Sequence, residues 1–250
     1  MNEPDKAPTH IAEGKPADPG HFVLARRHRL CAPLLAERGG VLLDFGCGNG
    51  AQTLTFARQF ERIVGLDVNE SFLAEFRASA GELEGAREIA ALHYDGRRIP
   101  LADASADHVV SFTVLEHVPD QVLALREMFR ILKPGGRLVI SVPNKWWVFE
   151  THGANLPLLP WNRVPLVSWW PKALHDRWAR ARIYRAREIR GLVEEAGFAV
   201  DEVFRMTAPM DVVKWAPLKN FLRRTVFGPD RAPLPFLATE IFVVADKPTG

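Results

Sequence analysis

The sequence predicts an α/β fold built on a parallel sheet. Two observations carry this: short apolar runs alternate with segments of helical periodicity over residues 41–142, and the first run is closed by a glycine-rich turn. Strands that alternate with helices connect through right-handed crossovers, so helices come to lie on both faces of the sheet. Over residues 22–38, Leu24, Leu30, Leu34 and Leu35 recur at helical spacing, and Gly39-Gly40 stops that helix. Residues 41–45 read as a strand feeding a helix at 51–59, and the rhythm repeats as strand 62–66, helix 71–80, strand 89–94, strand 108–112, helix 120–132 and strand 137–142.

After Val142 the rhythm breaks. Residues 143–185 hold Pro157, Pro160, Pro165 and Pro171 among tryptophans and no clean strand, which reads as an insertion. Helix 187–196, ended by Gly197, and strand 199–206 follow; residues 207–238 read as irregular, and 239–245 as a closing strand. The organisation expected is a flexible tail over 1–20, a main domain over 21–143 and 186–250, and an inserted cap over 144–185.

The chain has 250 residues, and 47% hydrophobic content is ample for a core. Lys and Arg number 32 against 30 Asp and Glu, a net +2 that does not suggest a nucleic-acid binder. Cys31 and Cys47 make neither a disulfide framework nor a zinc spacing, which fits a reducing, cytoplasmic setting. The first twenty residues lack a signal-peptide core, and no run reaches the roughly 18 apolar residues that cross a bilayer.

The chemistry concentrates in Asp44-x-Gly46-x-Gly48-x-Gly50, where glycines on a strand-to-helix turn let backbone approach a ligand that side chains would block. A dinucleotide loop is usually spaced Gly-x-Gly-x-x-Gly, and here the third glycine comes one residue early. Asp67 ends the following strand, where a carboxylate can accept both hydroxyls of a ribose. A glycine loop alone is more often a simple turn or another nucleotide site.

Further segments agree in order and spacing: Tyr94-Asp95-Gly96, Ile99-Pro100-Leu101 through Asp107, Thr113-Val114-Leu115-Glu116-His117-Val118, and Lys133-Pro134-Gly135-Gly136. With them, residues 22–143 resemble the class I S-adenosylmethionine-dependent methyltransferases. The resemblance implies a Rossmann-like, seven-stranded, mostly parallel sheet whose last strand is antiparallel, and S-adenosylmethionine as cofactor. It implies that Asp44, Gly46, Cys47 and Gly48 surround the methionine part, that Asp67 and Val68 take the ribose, and that Asp95 and Gly96 meet the adenine. Thr113 and His117 then fall on the methyl-transfer side, while Cys47 reads as a small packed residue rather than a nucleophile.

Methyl transfer from a sulfonium is an in-line displacement, and an alcohol acceptor must also lose a proton. His117 and His152, the latter beside Glu150, lie near the carboxyl ends of strands and are the candidate bases, ahead of His10, His21, His93 and His108. His117 reads equally well as a wall packed beside the cofactor. No ligand spacing demands a metal and none is expected, although Glu116, His117 and a further carboxylate could hold a divalent ion as in some quinone-precursor methylating relatives. Base-methylating enzymes carry an Asn/Asp-Pro-Pro-aromatic loop after strand four; Thr113-Val114-Leu115-Glu116 stands there instead, against a DNA acceptor.

The insertion and the helix after it combine Trp146, Trp147, Trp161, Trp169, Trp170 and Trp178 with Lys172, Arg177, Arg180, Arg182, Arg185, Arg187 and Arg190 against Asp176 and Glu188. Such a basic, aromatic cap suits an acidic, partly apolar acceptor or contact with a membrane surface. The plainer alternative is that Leu174, Trp178, Ile183 and Ile189 pack the cap down while its arginines stay solvated. Pro143-Asn144-Lys145-Trp146-Trp147 with Glu150-Thr151-His152 resembles methyltransferases that accompany glycan and lipid-glycoconjugate assembly. The expectation is O-methylation of a sugar, glycolipid or other small acidic or apolar acceptor. The alternatives are a non-catalytic cofactor-binding scaffold, or a protein or RNA methyltransferase.

Overall fold

The computed structural model describes residues 14–35, 40–83, 88–150, 152, 154–156, 159–161 and 165–250. The expected tail up to residue 13, with His10, and the stop at Gly39 lie outside the described residues, as do the side chains of residues 153–164. Helix α1 (Phe22–Leu35) leads into β1 (Val41–Phe45), β2 (Arg62–Asp67), α2 (Glu70–Gly81), β3 (Glu88–His93), β4 (Ala106–Phe112), α3 (Gln121–Ile131) and β5 (Leu132–Pro143). A hairpin of β6 (Ala154–Leu156) and β7 (Leu159–Trp161) follows, then α4 (Lys172–Trp178), α5 (Ala186–Glu195), β8 (Ala199–Thr207), α6 (Ala216–Arg224) and β9 (Ala238–Asp246).

Among the described residues seven strands form one sheet in the order β3-β2-β1-β4-β5-β9-β8. The pairs from β3 through to β5 are parallel. The last strand, β9, inserts antiparallel between β5 and β8, which completes the expected Rossmann-like arrangement. Successive residues of each central strand feed opposite layers. Leu43, Val64, Val109, Leu138 and Val243 pack with Leu125 and Met128 of α3 and Ile189 and Val193 of α5. Their neighbours Leu42, Ile63, Val110, Val139 and Val244 pack with Val23, Leu24 and Leu30 of α1 and with Phe56 and Phe60. Each such side chain contributes about 1.5–3 kcal/mol on full burial, so the alternation fixes the register of the sheet. Asn69 and Asp120 cap α2 and α3 by accepting from backbone N–H groups of the first turn.

Three sequence expectations are corrected. The helix expected over 51–59 is only a short 3-10 turn, Thr53–Phe56. Its threonines bond locally instead: Thr53 Oγ1 donates to Asp44 Oδ2 at 2.6 Å and Thr55 Oγ1 to the Gln52 carbonyl at 2.7 Å, competing with helical pairing. Residues 207–238 are not irregular throughout, since α6 forms there with Pro217 in its first turn, where a missing N–H costs nothing. The segment between β5 and α5 is not without strands, because β6 and β7 pair antiparallel. No helix among the described residues is long and apolar enough to cross a membrane.

Candidate active site at the carboxyl ends of β1 and β4

A cavity of ≈ 400 Å³ opens where β1, β2 and β4 end, walled by residues 46–49, Asp67, Val68, Tyr94, Gly96, Thr113, Val114 and His117. Gly14, Lys15, Pro16 and Ala17 close another side, so this part of the expected tail is a wall of the site. Gly46, Gly48 and Gly50 hold φ of 77°, 54° and 77°, the left-handed region that side chains disfavour. Their reasons differ. A Cβ on Gly46 would run into Val114 beside the cavity and one on Gly50 into the Phe76 ring of α2, so the third glycine serves helix packing.

Asp67 is the hinge pin of this wall. Its Oδ2 accepts the Gly48 N–H at 2.8 Å and its Oδ1 the Asn69 N–H at 2.9 Å, which locks the carboxylate against the loop. A carboxylate offers about four acceptor sites, so two backbone bonds leave capacity for a ligand's hydroxyls. Asp44 lies deeper, bonded to Thr53, and burial with Asp67 nearby pushes its carboxyl up to about 7. Cys47 is buried in the turn beside Leu73, Phe76 and Ala91, and burial pushes its thiol far up. Tyr94 and Gly96 line the cavity while Asp95 between them is exposed, its Oδ1 accepting the Arg97 and Arg98 N–H groups at 2.8 and 3.2 Å. Those bonds hold its carboxyl below the usual range.

Thr113 sits at the end of β4 with φ 54°, unusual for a β-branched residue and costly unless its surroundings impose it. They do so here through Arg27 of α1, whose guanidinium donates to Thr113 Oγ1 at 3.1 Å and grips Glu240 of β9 at 2.6 and 3.0 Å. Nothing in the sequence singled out this buried pair, because 213 residues separate its members.

Beside this lies a cluster of ionisable groups, in which Glu116, Glu150 and His175 are buried and His117 and His152 are partly exposed. His117, in the cavity wall, packs edge-on against His152 with ring centroids 5.0 Å apart. His152 presents Nε2 to Glu116 Oε1 at 3.4 Å and Nδ1 to Glu150 Oε1 at 3.9 Å. Glu150 in turn accepts the His152 backbone N–H at 3.1 Å and bonds His175 Nε2 at 2.8 Å. Burial drives both partners of the Glu116–His152 pair to their neutral forms: the Glu116 carboxyl rises well above its ordinary value, and the His152 ring falls to about 3. For His175 burial opposes the charge, yet the bonds to Asp176 and Glu150 outweigh it and its pKa is raised. Sequence reasoning brought Glu150, His152 and His117 together but missed His175, which only α4 delivers. One donor atom from each of Glu116, His117 and His152 falls within 4.8 Å of the others, a set that could take a divalent cation. The third member is a histidine where the sequence offered a carboxylate.

Residues 43–140 match a family model described as a methyltransferase domain. An S-adenosylmethionine-dependent methyltransferase of Mycolicibacterium smegmatis is 33% identical over 71% of this chain and 60% of its own length. A ubiquinone biosynthesis O-methyltransferase of Alkalilimnicola ehrlichii is 32% identical over 62% of this chain and 64% of its own. The chain thus spans less than two thirds of these curated relatives. The solved structure of an S-adenosylmethionine-dependent methyltransferase from Mesorhizobium loti, 20% identical, superposes with a TM-score of 0.60 over 89% of this chain and 98% of that one. That likeness is one of fold.

Proposed function

We propose, from the match of residues 43–140 to a methyltransferase-domain model, that the chain is a class I S-adenosylmethionine-dependent methyltransferase that transfers a methyl group to an oxygen of a sugar, a glycolipid or another small acidic or apolar acceptor. The observation that carries the reading is the abutment of the glycine-walled cavity and the histidine–glutamate cluster, with His117 common to both. The cavity fits the cofactor on its own chemistry. Asp44 and Asp67 supply carboxylates toward a cationic, hydroxylated ligand, and the turn at Gly46 and Gly48 admits close backbone approach. When bound, S-adenosylmethionine supplies an electrophilic methyl on a sulfonium sulfur.

The residues of the chain do the rest. Asp67 orients the ribose, Val68 and Gly96 flank the base with Asp95 at its rim, and Asp44 faces the cationic end. Thr113 and Val114 exclude water at the transfer side. His117 in the cavity wall and His152 beside it carry the imidazoles, one of which accepts the acceptor's proton as the new O–C bond forms. Glu150, with Oε1 3.9 Å from His152 Nδ1, is the carboxylate placed to stabilise the imidazolium that results. Residues 144–185 act as the cap that shapes the acceptor side, and Trp146 with its neighbouring arginines favours a flat or apolar acceptor bearing an anionic group, with contact at a membrane surface. The named activity of the Alkalilimnicola relative makes a phenolic quinone precursor a second acceptor to include.

Calorimetric titration with S-adenosylmethionine and S-adenosylhomocysteine, followed by transfer of labelled methyl to panels of glycans, glycolipids, phenols, RNA and protein, tests the reading. Label on a hydroxyl of the first three classes is expected. Tight cofactor binding with no transfer to any class would make the chain a scaffold, and label on RNA or protein would replace the acceptor.

A further inference from the structure

Residues 212–229, which carry α6, contain Lys214, Lys219, Arg223 and Arg224 and no Asp or Glu. None of the residues of α6 is buried. Trp215 is 67% exposed, Phe221 62%, Val226 54% and Leu218 39%, a concentrated display of apolar side chains. The display is not a loosely held helix. Arg223 donates to the Pro209 carbonyl at 2.7 Å and to Asp211 at 2.8 Å and lies 4.2 Å over the Phe22 ring. Leu222 packs with Phe227, Trp147, Ala208 and Met210. Leu222 and Arg223 therefore seat the helix, while Phe221 on the other side, Leu218 at the flank and Trp215 at the N-cap are left exposed.

With Arg223 committed to Asp211, the charges beside the apolar edge are Lys214, Lys219 and Arg224. An apolar stripe bordered by cations, with no acidic residue within the segment, is complementary to an anionic lipid surface: aromatic rings enter the headgroup layer while ammonium and guanidinium groups meet phosphates. Trp147 joins α6 to a second exposed aromatic pair, Trp146 at 45% and Trp169 at 50%, linked by the Trp169 Nε1 bond to the Trp146 carbonyl at 3.2 Å.

We propose that α6 is an interfacial anchor, which lays Trp215, Leu218 and Phe221 into the headgroup layer of an anionic bilayer with Lys214, Lys219 and Arg224 beside lipid phosphates. The anchor is independent of which atom the enzyme methylates. Co-sedimentation of the full chain with phosphatidylcholine vesicles, with and without phosphatidylglycerol, tests it. Binding should require phosphatidylglycerol and fall as salt rises. A Trp215→Ser/Phe221→Ser variant and, separately, a Lys219→Glu/Arg224→Glu variant should each lower partitioning about tenfold or more, with thermal midpoint and cofactor affinity unchanged. Equal binding to neutral vesicles, or binding untouched by both variants, overturns the proposal. So does loss of binding through Trp146→Ser/Trp169→Ser alone. A concentration-dependent dimer that Phe221→Ser abolishes would assign the stripe to a second copy of the chain and overturn it equally.

Discussion

The two walls of the site are made differently. The cofactor wall is backbone: glycines at positive φ, the Gly48 and Asn69 N–H groups on Asp67, and strand ends held by an apolar core. The side beyond His117 is made instead of polar and charged side chains from the described residues after β5. Glu150 bonds His175; Lys145 donates to the Ser168 and Trp170 carbonyls; Arg182 donates to the Val118 carbonyl. A backbone wall tolerates chemical variety but not added volume, whereas a wall of buried ions tolerates neither loss nor mispairing of a partner.

The sharpest way to break this contrast is His175→Ala, which strands the buried Glu150 carboxylate. We expect a loss of about 3–5 kcal/mol in denaturant unfolding. The Glu150→Gln/His175→Ala double variant should lose less than the sum of its parts, and additive losses would mean the two do not hold the wall together. Because the folded pKa of His175 is raised, its contribution is complete below the ordinary histidine range and is lost as pH rises through the folded value. Raising the pH through that value should therefore weaken wild type more steeply than the double variant.

On the chemical side of the same wall, His152→Ala should lower turnover about 100-fold while sparing cofactor affinity. If turnover survives, the proton goes to His117, and His117→Ala is the variant that must fail. On the cofactor wall, Asp67→Ala should weaken binding about 30-fold, the worth of about 2 kcal/mol in charge-assisted hydrogen bonds, by calorimetry. Unchanged affinity would remove Asp67 from the ribose.

The smallest effect concerns Asp44, whose carboxyl burial raises to about 7. A cationic ligand favours the ionised form, so affinity for the sulfonium donor should tighten about threefold as pH rises from 6 to 8. Asp44→Asn should flatten that slope. Burial of the same group makes a stability contribution that is complete at acid pH and falls as pH rises through about 7.

Legibility followed the same division. The glycine loop, Asp67 and the end of β4 lie within short stretches whose function depends on local backbone shape, so the spacing of Gly46, Gly48 and Asp67 was sufficient to locate the cavity. Alternation such as Leu42 against Leu43 and Val109 against Val110 sufficed for the parallel sheet, because strand period alone assigns each residue to a face. The turn at Thr53–Phe56 was misread as a longer helix because threonine side chains bonding to Asp44 and Gln52 leave no mark on apolar periodicity.

What the sequence by itself determined, then, is the layered sheet and the cofactor end, both set by interactions among near neighbours in the chain. Only the tertiary structure decided that Arg27 meets Glu240 across 213 residues, that His175 from α4 reaches Glu150, that residues 14–17 wall the cavity, and that α6 turns Trp215 and Phe221 outward. The physical reason is common to all four: each depends on where separate elements dock on one another, and docking is selected by packing of the whole core, which no local pattern encodes.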